Sequence, residues 1–487
     1  MNQSSDFDVV ILGGGMTGLT LAHHIAQQNA AQPSGTLNTL VLEPRESYRR
    51  DKTWCYWRQA STPFDEAITH QWSQWSVSFN GETQVCRSEL IPYVRVDSGR
   101  FYDIAQRNLE VSDSVTLSLG EAATTMTAHE AGVAITSVRE NYCAKMAFDT
   151  RPMPLPQGIL LQHFVGWEIA TDSDVFDPST VILMDFVSAA QDIHFFYVLP
   201  FSPRHALVET THFSMAIPPQ EIYADELKSY LASRFGLSEW RILHREQGVI
   251  PMPRRAPDLA ARAHRKIIPI GLHSDTVKPS TGYCYPHAQQ QALAQVRALF
   301  SNPDADAVAA RSRLSRWLDA IFIGFLEEHP ERAGEIFYRL FSRVPSNALV
   351  RFLGDQARTI DVIRVMTALP MGAFIRQAIR HVVSAETLRF VSWLRRASAS
   401  ARRFHRQLRG QVCGGFVCTD FDHRLAPRGI RLLPVGCPLP WCVACWRTRG
   451  LFCLDRHHRR DLVAIAAGIL VRLPCLFRLS LWRLRLA

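Results

Sequence analysis

The chain has 487 residues, of which 47% are hydrophobic and 20% charged, so it can bury a large core and is too apolar for a disordered protein. Its formal net charge of +9 is concentrated at one end, because residues 385–487 contain nineteen Arg, no Lys and five acids, whereas residues 1–384 sum to −5. This distribution argues against a nucleic-acid-binding protein, and the length predicts two or three domains.

The first predicted element is the apolar strand FDVVIL at residues 7–12, which three glycines separate from a segment of helical spacing, MTGLTLAHHIAQQ. A second apolar run, TLVLE, ends in Glu43 and completes a βαβ unit. Because the first strand begins almost at the N-terminus, with no basic and apolar leader before it, we expect a cytoplasmic protein without a signal peptide.

The glycines of this unit have the spacing Gly13-x-Gly15-x-x-Gly18, and Glu43 lies 25 residues beyond the last of them. Glycines at these positions permit a tight turn and a close approach of the backbone to a pyrophosphate, while the helix N-terminus offers free N–H donors. An acid at the end of the second strand can accept hydrogen bonds from a ribose, which favours FAD or NAD over NADP. The pattern therefore predicts a dinucleotide site, with a Gly-rich turn in a β-rich fold as the alternative.

Beyond residue 150 the pattern changes. Residues 158–215 contain closely spaced β-rich runs without intervening helices, which predicts an antiparallel sheet distinct from the first. From residue 289 to about 381, apolar residues interleave with Arg at helical spacing. No segment before residue 385 reaches the roughly 18 uninterrupted apolar residues of a transmembrane helix.

One acid stands out within the β-rich region. In the segment RHALVETTHFS, which begins at Arg204, strand periodicity places Glu209 on one face with Leu207, Thr211 and Phe213, and the even-numbered residues on the other. A strand Glu is ordinarily exposed to solvent or paired with a nearby Arg such as Arg204. An acid among apolar neighbours is the alternative, and it needs a chemical reason.

A series of longer motifs follows Glu43 in the sequence. They are RRDKTWCYW (49–57), LLQHFVGWEI (160–169), FDPSTVILMDF (176–186), FFYVLPFSPRHALVETTHFS (195–214), IPM (250–252), KPSTGY (278–283), LVRFLGD (349–355) and RVMTALP (364–370). In this order they resemble the bacterial lycopene β-cyclases, and the resemblance covers residues 7–382. It implies an α/β fold with a glutathione-reductase-like Rossmann FAD-binding domain, an antiparallel-sheet substrate domain and a helical C-terminal part.

The resemblance also implies an FAD-dependent enzyme that closes the acyclic ends of lycopene into β-ionone rings, giving β-carotene through a monocyclic intermediate without net redox change. The flavin is expected to be reduced, with NAD(P)H as its electron source, and to stabilise a cationic intermediate. Glu209 matches the position of the family's catalytic acid. An acid in an apolar pocket has a raised pKa and can hold its proton until the alkene arrives, which this chemistry requires.

Further site residues follow from the motifs. Asp185 is a second candidate catalytic acid, with a buried structural acid as an equal alternative. Trp57, Trp167 and Phe196 are the aromatic residues predicted to contact the polyene, since ring faces attract cations. We expect His163 to be a buried core histidine, because nothing local pairs it with a nucleophile or a metal, and we predict no metal site.

Residues 271–283 resemble the family's second flavin segment, where Asp275 and Gly282 are predicted to contact the cofactor. Ser274 and Asp275 stand where the family pattern has glycines or Ala-Gly. Larger side chains at these two positions would reduce the space between the backbone and the flavin.

The predicted domain organisation has five parts. They are a first FAD-binding part with interleaved substrate-domain segments (1–150), the antiparallel-sheet substrate domain (151–260), a return to the FAD-binding domain (261–300), a helical C-terminal part (301–384) and an Arg- and Cys-rich tail (385–487). Because lycopene is insoluble in water, we expect peripheral attachment to the inner face of the cell membrane. Residues 316–344 are a candidate attachment segment, although a helix packed on its own core has the same pattern.

Three alternatives are left open for the tail: a zinc site around Cys442 and Cys445, a basic membrane tether, or translation out of frame. The competing functions are an FAD-dependent monooxygenase or oxidoreductase of an apolar substrate, a cyclase that makes ε-ends, and an inactive flavin- or carotenoid-binding homologue.

Overall fold

The computed structural model describes residues 6–381 apart from 153, 188–192, 256–264, 303–307 and 309–310. All of these lie in the first of two compact units along the chain, Met1–Ser398. The Arg- and Cys-rich tail, with every prediction made for it, lies outside the described residues.

The strands follow one another along the chain with few helices among them. They are β1 (Phe7–Leu12), β2 (Thr39–Glu43), β3 (Thr53–Trp57), β4 (Ile68–Trp72), β5 (Gln74–Phe79), β6 (Glu82–Arg87), β7 (Tyr93–Asp97), β8 (Val115–Leu119), β9 (Ala123–Ala128), β10 (Val133–Ser137), β11 (Asn141–Asp149), β12 (Leu161–Ala170), β13 (Thr180–Phe186), β14 (Ile193–Ser202), β15 (His205–Ser214), β16 (Arg241–Pro251) and β17 (Ile267–Pro269). The helices are α1 (Met16–Ala31), α2 (Ser98–Glu110), α3 (Gln220–Phe235), α4 (Tyr285–Ser301), α5 (Arg313–Glu328), α6 (Ala333–Arg343), α7 (Ser346–Leu353), α8 (Thr359–Ala368) and α9 (Met371–His381).

The first sheet is built around β1. Its order is β8-β2-β1-β11-β10-β9, with β17 also paired to β11, and the strands β8, β2, β1, β11 and β17 run parallel. Val9 and Ile11 pack on Leu19 of α1, whereas Val10 and Leu12 pack on the opposite face. Both faces of β1 are therefore buried, which explains its continuous apolar run.

The second sheet has the order β16-β12-β15-β14-β13-β5-β6. Its neighbours are antiparallel except for the parallel pair β13–β5. Helix α3 covers one face, where Val208 packs with Leu227 and Leu231. On the other face Leu207 packs with Leu340 of α6. The predicted alternation along β15 is confirmed.

A third sheet, β3-β7-β4, is antiparallel, and helices α5 to α9 form the predicted helical C-terminal part. Helix α6 packs against β5 and β6. Among the residues that the structure describes, no single helix is long and apolar enough to cross a membrane. Helices α8 and α9 meet that test only as a pair, bent by 112°.

A buried cluster of charges joins the chain after β17 to the C-terminal helices. Lys278, which is 1% exposed, places its Nζ 2.6 Å from Asp355 Oδ1 and 3.1 Å from Asp319 Oδ1. Arg311 Nε lies 2.7 Å from the other oxygen of Asp355. Each buried charge therefore has an opposite partner, which fixes the segment that follows β17.

Candidate active site

Glycines shape the turn between β1 and α1. Gly13 has a φ of +100°, and a Cβ on Gly18 would lie 1.9 Å from the Gly13 carbonyl oxygen, so both positions need glycine. A Cβ on Gly15, by contrast, would meet no atom within 4 Å. Helix α1 begins directly after Gly15 without a side-chain cap and without an acid in its first turn. Its N–H donors are therefore available to an anion.

Glu43 closes this turn from the end of β2. The Gly14 N–H donates to Glu43 Oε2 at 2.7 Å, and Arg45 Nε donates to Oε1 at 2.8 Å. Tyr48 donates to the Gly14 carbonyl at 2.7 Å. The predicted glycines and Glu43 thus lie together, in a turn that suits a dinucleotide pyrophosphate. Arg45 and Tyr48 were missed, because loop side chains carry no periodic signal.

Asp275 lies after β17 in the left-handed conformation, with φ at +70°, and is buried. Its Oδ1 is 3.6 Å from Arg311 Nη1 and its Oδ2 is 3.8 Å from Arg316 Nε, but Oδ2 accepts no hydrogen bond from the described groups. Burial raises the pKa of Asp275 to about 6, although Arg311 and Arg316 oppose the shift. A buried carboxyl oxygen that accepts no hydrogen bond suits a hydroxyl of a flavin ribityl chain, so this segment fits the predicted cofactor.

The side chain of Ser274, which departs from the family pattern, forms hydrogen bonds within the protein. Ser274 Oγ donates to Gln291 Oε1 at 2.8 Å and lies 3.1 Å from the Gly271 carbonyl oxygen, so the side chain is turned into the protein. Gly282 has a φ of +72°, and a Cβ there would lie 2.4 Å from Gln162 Oε1. Gly282 therefore belongs to the wall where the segment meets the second sheet.

A cavity of about 350 Å³ lies between the second sheet, residues 277–285 and helix α6. The aromatic residues of its wall include Trp54, Trp57, Tyr93, Phe164, Phe195, Tyr197, Phe213, Tyr283, Phe337 and Phe341. Ring faces attract a cation by about 2 kcal/mol or more where water is excluded. The volume and the lining suit one end of an apolar substrate.

Two carboxyl groups enter this cavity side by side. Glu209 projects from the centre of β15 and Glu246 from β16, and Gly166 of the intervening strand β12 is the register partner of both. Burial, followed by the charge and the hydrogen bond of Glu246, raises the pKa of Glu209 well above its ordinary value. The Glu209 side chain can therefore act as a proton donor.

Sequence reasoning missed Glu246. It lies in RILHREQGVIP among other polar residues, and no local pattern separates it from them. Only the strand order, with β16 beside β12, brings it to Glu209.

Comparisons with known proteins identify the family of the chain. The family described as lycopene cyclase protein matches residues 8–379. The chain belongs to the lycopene cyclase family. A lycopene beta-cyclase of Paracoccus sp. is 29% identical over 231 residues, which cover 44% of this chain and 58% of that protein. A lycopene beta-cyclase of Pantoea ananas is 23% identical over 384 residues, which cover 75% of this chain and 95% of that protein.

Solved structures share the fold of this lycopene cyclase family member. A geranylgeranyl bacteriochlorophyll reductase-like protein from Thermoplasma acidophilum has a TM-score of 0.50 at 14% identity, covering 78% of this chain and 98% of its own. The flavin-dependent brominase Bmp2 has a TM-score of 0.50 at 13% identity, covering 78% of this chain and 99% of its own. The predicted fold class is thereby confirmed.

Three residues predicted for the site of this lycopene cyclase family member lie on the other face of the second sheet. Asp185 accepts a hydrogen bond from Tyr230 at 2.8 Å and pairs with Arg234 at 3.3 Å, both on α3. Trp167 packs in the cluster beneath α3, and Phe196 stacks on Tyr230 with 3.8 Å between ring centroids. The structure therefore corrects these three predictions.

The physical reason is the period of two along a strand. Trp167 follows Gly166 and Phe196 precedes Tyr197, and it is these neighbours that share the cavity face with Glu209. Trp57 alone of the three predicted aromatic residues lies in the cavity wall.

His163 is a satisfied core histidine, as expected. It bonds to Ser214 at 2.9 Å and accepts from Tyr223 at 2.6 Å, and burial lowers its pKa to about 4. On the same face, the ligand atoms of His194, His212 and Glu226 lie within 4.8 Å of one another, a spacing that could hold a metal ion and that the sequence analysis did not foresee.

Proposed function

We propose that the protein is a lycopene β-cyclase in which Glu209 is the general acid. The observation that carries the proposal is the position of one buried carboxyl group, with a raised pKa, in the wall of an aromatic cavity. Cyclisation needs a strong proton donor and an electron-rich surface for the cation, and this cavity provides both.

The reaction starts at one acyclic end of lycopene. Glu209 gives its proton to the terminal double bond, which leaves a tertiary cation. An internal double bond attacks that cation and closes the ring, and loss of a ring proton gives the β-end. Ring faces in the cavity wall, among them those of Trp57 and Tyr197, exclude water, which would otherwise trap the cation. Repetition at the second end gives β-carotene, and no electrons are gained or lost overall.

The proposed cofactor is FAD, held by the turn at Gly13, Gly15 and Gly18, by Glu43 and by Asp275. The free N–H donors of α1 suit the pyrophosphate, and Asp275 Oδ2, which accepts no hydrogen bond from the described groups, suits a ribityl hydroxyl. Bound in its reduced form, with NAD(P)H as the electron source, FAD would supply negative charge beside the cation. Residues 277–285 join the two sites, because they follow Asp275 and also line the cavity.

Peripheral attachment to the inner face of the cell membrane is part of the proposal. Six apolar side chains of α8 and α9 are between 42% and 50% exposed, namely Ile360, Ile363, Met366, Met371, Ile375 and Ile379. Arg358, Arg364 and Arg376 are exposed beside them. An apolar surface bordered by Arg complements anionic lipids, from which an insoluble polyene must be taken.

Pigment analysis in a lycopene-accumulating bacterial host tests the function. The full chain should convert lycopene to β-carotene, Glu209→Gln should abolish conversion, and Glu89→Gln, an exposed site, should not alter it. Anaerobic turnover with purified protein and chemically reduced FAD separates a cyclase from a monooxygenase, which needs oxygen. Binding of lycopene without conversion would identify an inactive homologue, and ε-ended products would identify the other cyclase type.

A further inference from the structure

The cavity contains a carboxyl group besides that of Glu209. Glu246 is buried, and its Oε2 has no hydrogen-bond partner among the described side chains and backbone groups. Glu246 and Glu209 come from strands that are not neighbours, since β12 lies between β16 and β15. Two acids that face the same apolar space across a third strand need an explanation.

Gly166 makes this arrangement possible. It is the register partner of Glu209 on one side and of Glu246 on the other. A Cβ at position 166 would lie 2.7 Å from Glu209 Cγ and 3.2 Å from Glu246 Cγ. The two acidic side chains therefore occupy the space that any other residue at position 166 would fill.

The surroundings of the two acids differ in charge. Arg95 is buried, pairs with Asp97 at 3.3 Å, and lies close enough to Glu246 for the two charges to interact. The effects that act on Glu209 are burial and the negative charge of Glu246. Like charges in one buried site do not both ionise, and the raised pKa of Glu209 makes Glu209 the acid that holds the proton.

We propose that Glu246 is a second catalytic residue, the carboxylate that removes the ring proton after Glu209 has protonated the polyene end. This role rests on the proposed function. The carbon that gains a proton and the carbon that loses one belong to the same six-membered ring, so donor and acceptor must lie side by side. The pair across Gly166 has this arrangement.

The proton balance closes within the pair. The O–H bond of Glu209 breaks as a C–H bond forms at the terminal alkene carbon, and the internal π bond supplies the electrons for the new C–C bond. A ring C–H bond then breaks, its electrons form the ring double bond, and the proton moves to Glu246. Transfer from Glu246 to the neighbouring Glu209 carboxylate across Gly166 restores the starting state for the second end.

The experiment compares Glu246→Gln, Glu246→Asp and Glu209→Gln in the full chain with reduced FAD. General-base removal changes rates by about 10²- to 10⁴-fold, so Glu246→Gln should lower β-ring formation by at least about 100-fold. The residual product should contain ε- or γ-ends, because the proton is then lost from another carbon. Glu246→Asp should recover at least about a tenth of the wild-type rate. Flavin content and melting temperature show that each variant is folded.

Infrared spectroscopy of the resting protein gives a readout that needs no turnover. At neutral pH the wild type should show a protonated carboxyl band that Glu209→Gln removes. Glu246→Gln should move this band to higher frequency, because a neutral amide is a weaker acceptor than a carboxylate. Glu89→Gln should leave it unchanged.

The outcomes separate the two proposals. If the wild type forms β-rings and Glu246→Gln forms them at a rate within about threefold of the wild type, the proposed role of Glu246 is wrong. The proposed function then still stands. If Glu246→Gln does not change the frequency of the protonated carboxyl band, the proposed role of Glu246 is also wrong. A wild type that never converts lycopene removes the proposed function, and the ring-proton role falls with it.

Discussion

Glu209 and Gly166 face each other across the β12–β15 pair, and the Glu209 side chain extends over the position where Gly166 lacks one. The Gly166→Ala variant should therefore push Glu209 and Glu246 out of place. We expect cyclase activity to fall by at least about tenfold and the free energy of unfolding to fall by about 1–3 kcal/mol, the usual cost of overpacking. Urea denaturation and pigment conversion measure the two effects.

Gly372→Ala is the control, because a Cβ there would meet no atom within 4 Å. Equal loss of activity in both variants would show that position 166 has no special part in placing the acids.

The raised pKa of Glu209 predicts how stability depends on pH. Its pKa in the folded protein lies well above the ordinary value of 4.5, so the folded state binds the proton more tightly than the unfolded state. Ionisation of Glu209 therefore leaves the free energy of unfolding unchanged below pH 4.5. Between pH 4.5 and the folded pKa, it lowers the free energy of unfolding by up to about 1.4 kcal/mol per pH unit. Glu209→Gln should remove this decline, as measured by urea unfolding between pH 4 and 9.

The pKa of Glu226 is lowered, so Glu226→Gln should change the stability in the direction opposite to Glu209→Gln. Burial opposes the shift, but hydrogen bonds from His212 and Thr210 lower the pKa of Glu226. Its stabilising contribution is present above the unfolded pKa and is lost as the pH falls through the folded one. The Glu226→Gln variant should therefore lose stability at neutral pH, where Glu209→Gln gains it. The same sign in both variants would contradict the assignment of Glu209 as the protonated acid.

Periodicity and motif order were sufficient to predict the two sheets, the cavity face of β15 and the placement of Glu209. Each of these depends on neighbours along one strand or one turn. Glu246 could not be predicted, because its role depends on β16 pairing with β12 rather than on its own sequence. Trp167 and Phe196 were assigned by residue type, and the period of two places them on the face beneath α3.

The role of Asp185 could not be predicted from its local sequence either. An acid in an apolar strand pattern is explained equally well by catalysis or by a local ion pair. The partners that decide between them, Tyr230 and Arg234, lie on a helix more than forty residues away in sequence.

Gly15→Ala should separate cofactor binding from folding. Position 15 has open space around it and a φ of −75°, so Ala should leave the stability of the flavin-free protein unchanged. If the pyrophosphate of FAD approaches this turn, the added methyl should raise the Kd for FAD by at least about tenfold. Flavin titration and thermal melting measure the two quantities.

Gly18→Ala is the matched contrast, since its Cβ would lie 1.9 Å from the Gly13 carbonyl oxygen. It should lower stability as well as affinity. An unchanged Kd in Gly15→Ala would place the dinucleotide elsewhere.

The exposed apolar surface of α8 and α9 predicts lipid dependence. Replacing Ile363 and Ile375 together by Glu should reduce cosedimentation of the full chain with phosphatidylglycerol-containing vesicles by at least about fivefold, because charge on an inserted face opposes burial in the lipid. Val111→Glu is the control, since Val111 is also exposed but follows α2. Equal binding by all three proteins would exclude this face as the attachment surface.

Lys278 tests how the wall of the cavity is held. Its ammonium group is almost completely buried between Asp319 and Asp355, and Lys278→Met would leave these acids without that counter-charge. Removal of one partner from a buried ion cluster costs about 3–5 kcal/mol, so unfolding should occur at clearly lower urea concentration. The same substitution at Lys228, whose pair with Asp225 is exposed, should change stability little.

Lys278→Met should also weaken flavin retention, because Lys278 belongs to the segment that lines the cavity and follows Asp275. A Lys278→Met variant as stable as Lys228→Met would show that the buried charges do not hold this segment.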